Sequence, residues 1–328
     1  MYLDDQAIRS FAKLLEDYQT VIIHRHVRPD PDAIGSQLGL AELIKQGDPS
    51  KRVLAAGSQS AGLSWLGEMD PVSREDYRDA LVIVVDTANQ ERIDGKDYQQ
   101  GAALVKIDHH LLVDDYGEVR LLQDEASSTA EIITYLALAL KDHLPLNQKA
   151  SQLLYAGIVG DTGRFQFSNT TSQTFEMVAE LMKMGIDAVG VNRQMSEIDF
   201  ATLQFEAYMV DQMQVHEPGV ASIRILLEDI QRFGLTEEDT NGITNLPGRV
   251  KGILSWVIFI EQASNSMKYR ARIRSKGPAI NQLAAQYQGG GHAMASGAKV
   301  QDEAEGQALI ADLVKTNQAY LQQKQSVL

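Results

Sequence analysis

Short apolar runs alternate with amphipathic stretches along the first half of the chain. Strand-like runs cover residues 21–23, 52–56, 81–85 and 103–107, and helical periodicity covers 5–17, 33–46 and 127–141. Strands that alternate with helices are typical of a parallel α/β sheet. We therefore predict an α/β fold with a parallel sheet for this half of the chain.

The second half begins with helical patterns and then returns to strands. Helical periodicity covers 147–159 and 171–213, and it is followed by strand-like runs at 219–226, 252–260 and 267–274, a helix at 279–287, a glycine-rich turn and a last helix at 303–322. This order predicts an N-terminal domain over 1–187, a helical connector over 188–213 and a smaller α/β domain over 214–328.

Composition narrows the class of protein. The chain has 328 residues, which exceeds the ~100 to 200 of a usual single domain and favours two domains. The longest apolar runs are far shorter than the ~18 residues of a membrane span, so we expect a cytoplasmic protein. The chain contains no cysteine, so a metal would be held by oxygen and imidazole ligands, which favours manganese or else magnesium.

Net charge limits the partners. The formal net charge of −14 argues against binding a long nucleic-acid duplex, because such affinity comes mainly from lysine and arginine. A small phosphorylated substrate in a local basic pocket stays compatible with this charge.

The first polar cluster is the segment HRHVRPDPD at 24–32, between a predicted strand and a predicted helix. Its two prolines favour an extended chain, in which Asp30 and Asp32 point the same way. Two adjacent carboxylates repel each other unless a cation lies between them. Taken alone, the segment favours a simpler interpretation, in which Asp32 is the N-cap of the helix.

Three further polar clusters follow predicted strands or a helix. They are Asp86 after the run LVIVV, the triplet Asp108-His109-His110, and Asp161 between glycines. Each one alone is weak evidence, since an aspartate at such a position is often a turn former. Because ligands bind beyond the carboxyl ends of parallel strands, the clusters together indicate a site for two cations ~3.5 to 4 Å apart, an arrangement suited to displacement at phosphorus.

The order HxxPDxD, D, DHH, D resembles the DHH phosphoesterase superfamily. The resemblance implies that His26 and Asp30 bind one divalent cation, that Asp32, His109 and Asp161 bind the other, and that Asp86 bridges them. It also implies catalytic roles for His110, which would face the substrate phosphate, for Asp86, and for Asp108, which would orient an imidazole. His24 has no role in this pattern.

The second domain contains an arginine strand and a glycine-rich segment. Arg270, Arg272 and Arg274 alternate along one predicted strand and therefore share one face; for Arg270 we favour a solvated position. RSKG followed by GGGHxxASG resembles the DHHA1 domain, with Ala293 where many relatives have proline. The resemblance implies the following substrate-binding residues besides His110: Arg272, Arg274, Ser275, Gly289, Gly290, Gly291 and His292.

Within the superfamily, the stretches HRHVRPDPDAIGSQ, DTANQERID, KIDHH, YAGIVGDTGRF and RSKGPAIN are most similar to the bacterial nanoRNase group. That similarity implies hydrolysis of RNA fragments of a few nucleotides to 5′-mononucleotides, and removal of the 3′-phosphate from 3′-phosphoadenosine-5′-phosphate (PAP) to give AMP. Three alternatives stay open: a manganese inorganic pyrophosphatase, a phosphodiesterase for cyclic or linear dinucleotides, and a catalytically silent nucleotide sensor. The sequence does not determine the oligomeric state and leaves a homodimer open.

Overall fold

The computed structural model describes residues 3–237, 239–263 and 267–327. The chain divides into two compact units between Glu197 and Ile198, and each unit is described separately below. The finer division into 1–187, 188–213 and 214–328 stays a prediction.

The sheet of the first unit is parallel, as predicted. In the described residues it has five strands in the order β2-β1-β3-β4-β5. They are β1 Thr20–His24, β2 Arg52–Ala55, β3 Ala80–Val85, β4 Ala103–Asp108 and β5 Val119–Leu122. β3 is buried along its whole length, which explains its continuous apolar sequence. All carboxyl ends of the strands therefore lie at one edge.

Helices pack against this sheet. They are α1 Asp5–Asp17, α2 Pro31–Gly47, α3 Thr129–Ala139, α4 Gln148–Asp161, α5 Ser172–Met182 and α6 Ala188–Gln194. α2 and α4 approach closely at glycines. A Cβ on Gly35 would lie 2.5 Å from the backbone oxygen of Leu153, and one on Gly157 would lie 2.7 Å from Asp32 Oδ1. Glycine at these positions therefore lets the start of α2 lie against α4.

The second unit has a mixed sheet, whose described strands run in the order β10-β11-β9-β8-β7-β6. They are β6 Gln214–His216, β7 Val220–Ile225, β8 Ser255–Glu261, β9 Tyr269–Ser275, β10 Gly290–His292 and β11 Ala295–Val300. The helices are α7 Phe200–Asp211, α8 Leu227–Arg232, α9 Asn281–Gln286 and α10 Glu303–Val327. β7 and β8 are parallel, and the other neighbouring strands pair antiparallel.

One expectation about the elements was wrong. The glycine-rich segment is not a turn, because β10 and β11 pair there as a hairpin. The helical pattern over 171–213 corresponds to three helices, α5, α6 and α7. Within the described part of the chain, no helix combines the length and apolar character that a membrane crossing needs.

Candidate metal centre

The ends of three neighbouring strands bring the first polar clusters together. Asp86 directly follows β3, and His109 directly follows β4, so both lie at the carboxyl edge of the sheet. His26 lies just beyond β1 and forms a bridge with Ile93, and Val27 N donates to Arg92 O over 2.7 Å. The segment after β1 is thereby held beside the end of β3.

Two groups of possible ligands lie at this edge. In the first, His26 Nε2 is 3.5 Å from Asp30 Oδ2 and 3.4 Å from Asp86 Oδ2. In the second, His109 Nε2 is 3.1 Å from Asp161 Oδ2, and Asp32 completes the group, with the ligand atoms within 4.8 Å of one another.

Asp86 lies between the two groups. Its Oδ1 is 3.6 Å from His109 Nε2 in the second group, while its Oδ2 faces His26 in the first. A third, overlapping group joins Asp86 to His109 and His110. Each of the six side chains predicted as metal ligands thus belongs to at least one group of three possible ligands.

Asp32 is held by an element that is distant in sequence. Its Oδ2 accepts a hydrogen bond from Thr129 N at 2.8 Å and its Oδ1 accepts from Ala130 N at 2.9 Å, both in the first turn of α3. The N-cap of α2 is Asp30, which accepts from Ala33 N at 2.9 Å. The interpretation of Asp32 as the N-cap was therefore wrong, and so was the extended chain through it, because α2 already begins at Pro31.

The backbone at Asp86 adopts an unusual conformation. Its φ is +52°, in the left-handed region that few residues other than glycine occupy, although aspartate is enriched there. Asp86 N donates to Ile107 O over 2.9 Å, and Asp86 Oδ1 accepts from Thr129 Oγ1 at 3.2 Å. Strained backbone that the surrounding structure holds in place is common at functional sites.

The imidazoles of the two groups are oriented for metal binding. His26 Nδ1 is 2.9 Å from Val27 O and His109 Nδ1 is 3.3 Å from Ala126 O. A carbonyl oxygen only accepts, so His109 Nδ1 donates to Ala126 O, and His26 Nδ1 donates in its shorter contact with Val27 O, although the donor Arg92 Nη2 also lies 3.3 Å from it. Each Nε2 faces the carboxylates. Histidine ligands of metals commonly donate their other nitrogen in this way.

The carboxylates and imidazoles perturb one another's pKa. Burial lowers the pKa of His26, but hydrogen bonds and charge from Asp30 and Asp86 outweigh it and raise the pKa to about 10. Burial likewise opposes protonation of His109, and Asp161 and Asp86 raise its pKa to about 10. Burial raises the pKa of Asp161 to about 6, and burial together with the charge of Asp86 raises that of Asp32 well above its usual range.

This donor set fits two hard or borderline divalent cations. The described residues offer carboxylate and imidazole ligands, the types that suit manganese and magnesium. Buried carboxylates with raised pKa values repel one another, and a cation between them removes that penalty. His109 Nε2 is buried and has no hydrogen-bond partner among the described residues, which fits a ligand atom aimed at a cation.

His110 lies beside the cluster, with its Nδ1 3.6 Å from Asp86 Oδ1, and Asp108 holds it in place. Its Nδ1 lies 2.8 Å from Asp108 Oδ1, and its backbone N donates to the same oxygen over 3.2 Å. The carboxylate of Asp108 thus orients the imidazole ring of His110 through Nδ1, and Nε2 is the ring nitrogen that remains. The imidazole that Asp108 contacts is that of His110, and its catalytic role stays a prediction.

In the second unit, sheet register aligns four of the predicted substrate-binding residues in two rows. Arg274 pairs with Ala295, which pairs with His292. Arg272 pairs with Gly297, which pairs with Gly290. Directly opposed residues of antiparallel strands share a face, so both arginines lie on one face with the exposed hairpin.

Hydrogen bonds hold several of these residues in place. Arg272 Nη1 donates to Thr240 Oγ1 over 3.0 Å, and burial lowers the pKa of Arg272 to about 10, which leaves it charged at neutral pH. Ser275 does not present a free hydroxyl, because its Oγ is 3.3 Å from Leu254 O and accepts from Gly277 N at 3.0 Å. Arg270 Nη1 pairs with Glu237 Oε1 at 2.7 Å.

Sequence reasoning assigned no role to His24 or to Lys106. His24 is buried between Tyr77 Oη, 2.9 Å from its Nε2, and Asp94 O, 2.8 Å from its Nδ1; its contacts are structural. Lys106 is fully buried beneath the DHH segment, and the signal for it was a single charged residue inside the apolar strand ALVKID.

Comparison with known proteins agrees with the fold. The DHH family, N-terminal domain, matches residues 20–158, and the DHHA1 domain matches residues 223–321. The chain is 43% identical to a protein of Streptococcus mutans named "Probable bifunctional oligoribonuclease and PAP phosphatase NrnA", with 94% of this chain and 98% of that protein covered. It is also 43% identical to the "Bifunctional oligoribonuclease and PAP phosphatase NrnA" of Bacillus subtilis, with 90% and 94% covered.

A solved structure has the same fold. An exopolyphosphatase-related protein from Bacteroides fragilis aligns with a TM-score of 0.81 and 24% identity, over 99% of this chain and 98% of that one. The chain belongs to the DHH phosphoesterase family, with a DHH domain followed by a DHHA1 domain. Enzymes of this family depend on metal ions.

Proposed function

We propose that the protein is a two-metal phosphoesterase that hydrolyses RNA fragments of a few nucleotides to 5′-mononucleotides and converts PAP to AMP. The observation that carries the proposal is the pair of ligand groups with Asp86 between them, since Asp86 belongs to the first group and its Oδ1 lies 3.6 Å from His109 Nε2 of the second. The chain is also 43% identical over nearly its whole length to proteins named for these two activities. Manganese is the proposed cation, with magnesium as the alternative, because the ligands are carboxylates and imidazoles.

We assign each cation its ligands as follows. His26 and Asp30 bind one, Asp32, His109 and Asp161 bind the other, and Asp86 contacts both. Two bound cations would supply Lewis-acid stabilisation of the phosphoryl oxygens and lower the pKa of a water from the ~15.7 of bulk water.

The chain's own residues supply binding and proton positioning. Hydrolysis forms one bond from water oxygen to phosphorus and breaks one ester bond, so the leaving oxygen needs a proton. Asp108 holds His110 through Nδ1 at 2.8 Å, so Nε2 of the doubly protonated ring is the nitrogen that would donate to a phosphoryl or leaving oxygen. Donors aimed at developing charge are a large source of rate enhancement.

Residues of the second unit are assigned to substrate binding. Arg272, Arg274 and His292 lie on one face of the sheet, and Gly290 and Gly297 add no side chain there. Arginine pairs well with phosphate because its planar donors match the phosphate oxygens. Ser275 and the glycines at 289–291 then shape the backbone of this face. The cytoplasmic location and the homodimer stay predictions.

The test is release of mononucleotides from a labelled RNA dinucleotide in the presence of manganese, compared with PAP, pyrophosphate and a cyclic diadenylate at equal concentration. We expect turnover of the dinucleotide and PAP, and loss of both after chelation. Preferred turnover of pyrophosphate or of the cyclic substrate would support the corresponding alternative enzyme. Binding of nucleotides with no turnover under any metal would support the silent sensor.

A further inference from the structure

A buried lysine lies directly beneath the residues that carry the chemistry. Lys106 is the fourth residue of β4, and its side chain is 1% exposed. A lysine is almost never fully buried unless it is paired, and burying an unpaired ammonium costs several kcal/mol. Its contacts therefore need an explanation beyond packing.

The ammonium of Lys106 joins three segments of the site. Nζ donates to Ala88 O over 3.0 Å, in the loop that begins with Asp86, and to Asp114 O over 3.3 Å, in the loop that follows His110. It also lies 3.3 Å from Asp108 Oδ2. The ammonium thus donates to backbone oxygens of two different loops, and the carboxylate of Asp108 lies beside it as the partner of an ion pair.

The contact with Asp108 links the lysine to His110. The two oxygens of this carboxylate have separate roles, since Oδ1 accepts from His110 while Oδ2 is buried and has no hydrogen-bond partner among the described residues. Lys106 Nζ is the cation beside that second oxygen. The ring of Tyr116, 4.4 Å from Nζ, covers the ammonium from another side.

From these contacts we infer that Lys106 is a positioning residue, whose ammonium fixes the carboxylate of Asp108 and the two adjoining loops so that His110 is held in its productive orientation. The inference rests on the proposed phosphoesterase function. Lys106 itself is buried, and its contacts are with Ala88, Asp108, Asp114 and Tyr116 rather than with the proposed metal ligands. A displacement of about 1 Å in a catalytic group can cost ~100-fold in rate, so the effect should fall on kcat.

The first test compares Lys106→Met, which keeps an unbranched chain one atom shorter and removes the ammonium, with the exposed control Lys141→Met. With the dinucleotide as substrate, we expect kcat of Lys106→Met to fall by ~100-fold, with KM changed less than about threefold and manganese content equal to wild type. Unchanged kcat in the folded variant overturns the inference. Loss of bound manganese in parallel with kcat also overturns it, because the lysine would then support the ligands rather than His110.

The second test restores the charge chemically. The chain has no cysteine, so the variant Lys106→Cys has one thiol, which is alkylated in denaturant and refolded beside wild type treated identically. Bromoethylamine rebuilds a lysine-like ammonium, and 1-bromopropane gives a neutral chain of equal length. We expect only the aminoethylated protein to regain kcat. Equal kcat in the aminoethylated and propylated proteins overturns the inference. The inference is also overturned if the aminoethylated protein folds and the propylated protein does not, because the ammonium would then be needed for folding.

The choice of substrates separates this inference from the proposed function. Every variant is also assayed with bis-p-nitrophenyl phosphate, which tests phosphodiester cleavage without a nucleotide. Wild type that cleaves this ester but neither the dinucleotide nor PAP refutes the proposed substrates, and the effect of Lys106 is then read from kcat on the ester alone.

Discussion

Asp86 is the residue that lies between the two groups of possible metal ligands. It is 2% exposed, its two oxygens face different groups of ligands, and its backbone has a φ of +52°. Asparagine tolerates this backbone region as well as aspartate does. The charge of Asp86 can therefore be removed without changing the shape of the residue.

We expect Asp86→Asn to lose bound manganese and to reduce kcat by more than the ~100-fold that loss of an outer partner of a metal ligand already causes. The physical reason is that one carboxylate serves both groups. Metal analysis after dialysis and turnover of the dinucleotide give the measurement, and circular dichroism checks the fold. Asp124→Asn, at an exposed position, is the control; near-normal turnover in Asp86→Asn would exclude the bridging role.

Proton release gives an independent measure of the same site. Asp30 and Asp86 outweigh burial and raise the pKa of His26 to about 10, and Asp161 and Asp86 do the same for His109. Both imidazoles therefore carry a proton at pH 8, yet a metal ligand must be unprotonated. Manganese binding should release up to about two protons, and affinity should increase as pH rises toward 10.

Isothermal titration calorimetry in two buffers of different ionisation enthalpy measures this proton count at pH 8. His26→Ala should remove one of the released protons, whereas His143→Ala, outside the site, should leave the count unchanged. Identical binding enthalpies in both buffers would contradict the assigned ligands.

The residues at the site were largely predictable, but the way they are held was not. The local patterns at the site are HxxPDxD, Asp86, DHH and Asp161. The ends of strands, and for Asp161 the end of α4, bring them together. The donors to Asp32 come from Thr129 and Ala130, almost a hundred positions away. Pairing at that separation depends on tertiary packing, which no local pattern specifies.

At the scale of elements, buried strands were predicted well and polar ones were missed. β3 and β4 are apolar runs and were identified, whereas β5 and the hairpin β10–β11 were not. The sequence GGH has low strand propensity, and β10 and β11 form because β11 pairs along its whole length with β9. Such pairing partners are distant in sequence, so propensity alone predicted a turn.

The hairpin yields a prediction that separates folding from ligand contact. A Cβ on Gly289 would lie 1.9 Å from Gly297 O, whereas a Cβ on Gly290 would meet nothing within 4 Å. Gly289→Ala should lower the free energy of unfolding by about 1 to 3 kcal/mol, and Gly290→Ala should change it by less than about 0.5 kcal/mol.

Chemical denaturation of both variants, with KM for the dinucleotide measured in parallel, tests this. Because Gly290 lies in the row of Arg272, a methyl there should raise KM although stability is normal. Stability and KM both unchanged in Gly290→Ala would mean that this glycine does not face substrate.

At the scale of the whole molecule, the proposed metal ligands and the proposed substrate-binding arginines belong to different units. A net charge of −14 opposes a long polyanion, while the arginines of β9 concentrate positive charge on one face of the second unit. The metal ligands all belong to the first unit. Removing an arginine from β9 therefore leaves every metal ligand in place, which lets substrate binding be tested apart from metal binding.

Arg274→Ala should weaken use of the dinucleotide and of PAP while manganese content stays at the wild-type level. Loss of a charge-assisted contact to phosphate removes about 1.5 to 3 kcal/mol, or roughly ten- to a hundredfold in affinity, so KM should rise by that factor. Arg270→Ala is the matched control, since Arg270 lies on the same strand face but pairs with Glu237 at 2.7 Å. Bis-p-nitrophenyl phosphate carries no nucleoside for the second unit to bind and should be affected much less. An equal loss on the ester and the dinucleotide would place Arg274 in the catalytic step, and no loss on either would mean that this face of the sheet is merely solvated.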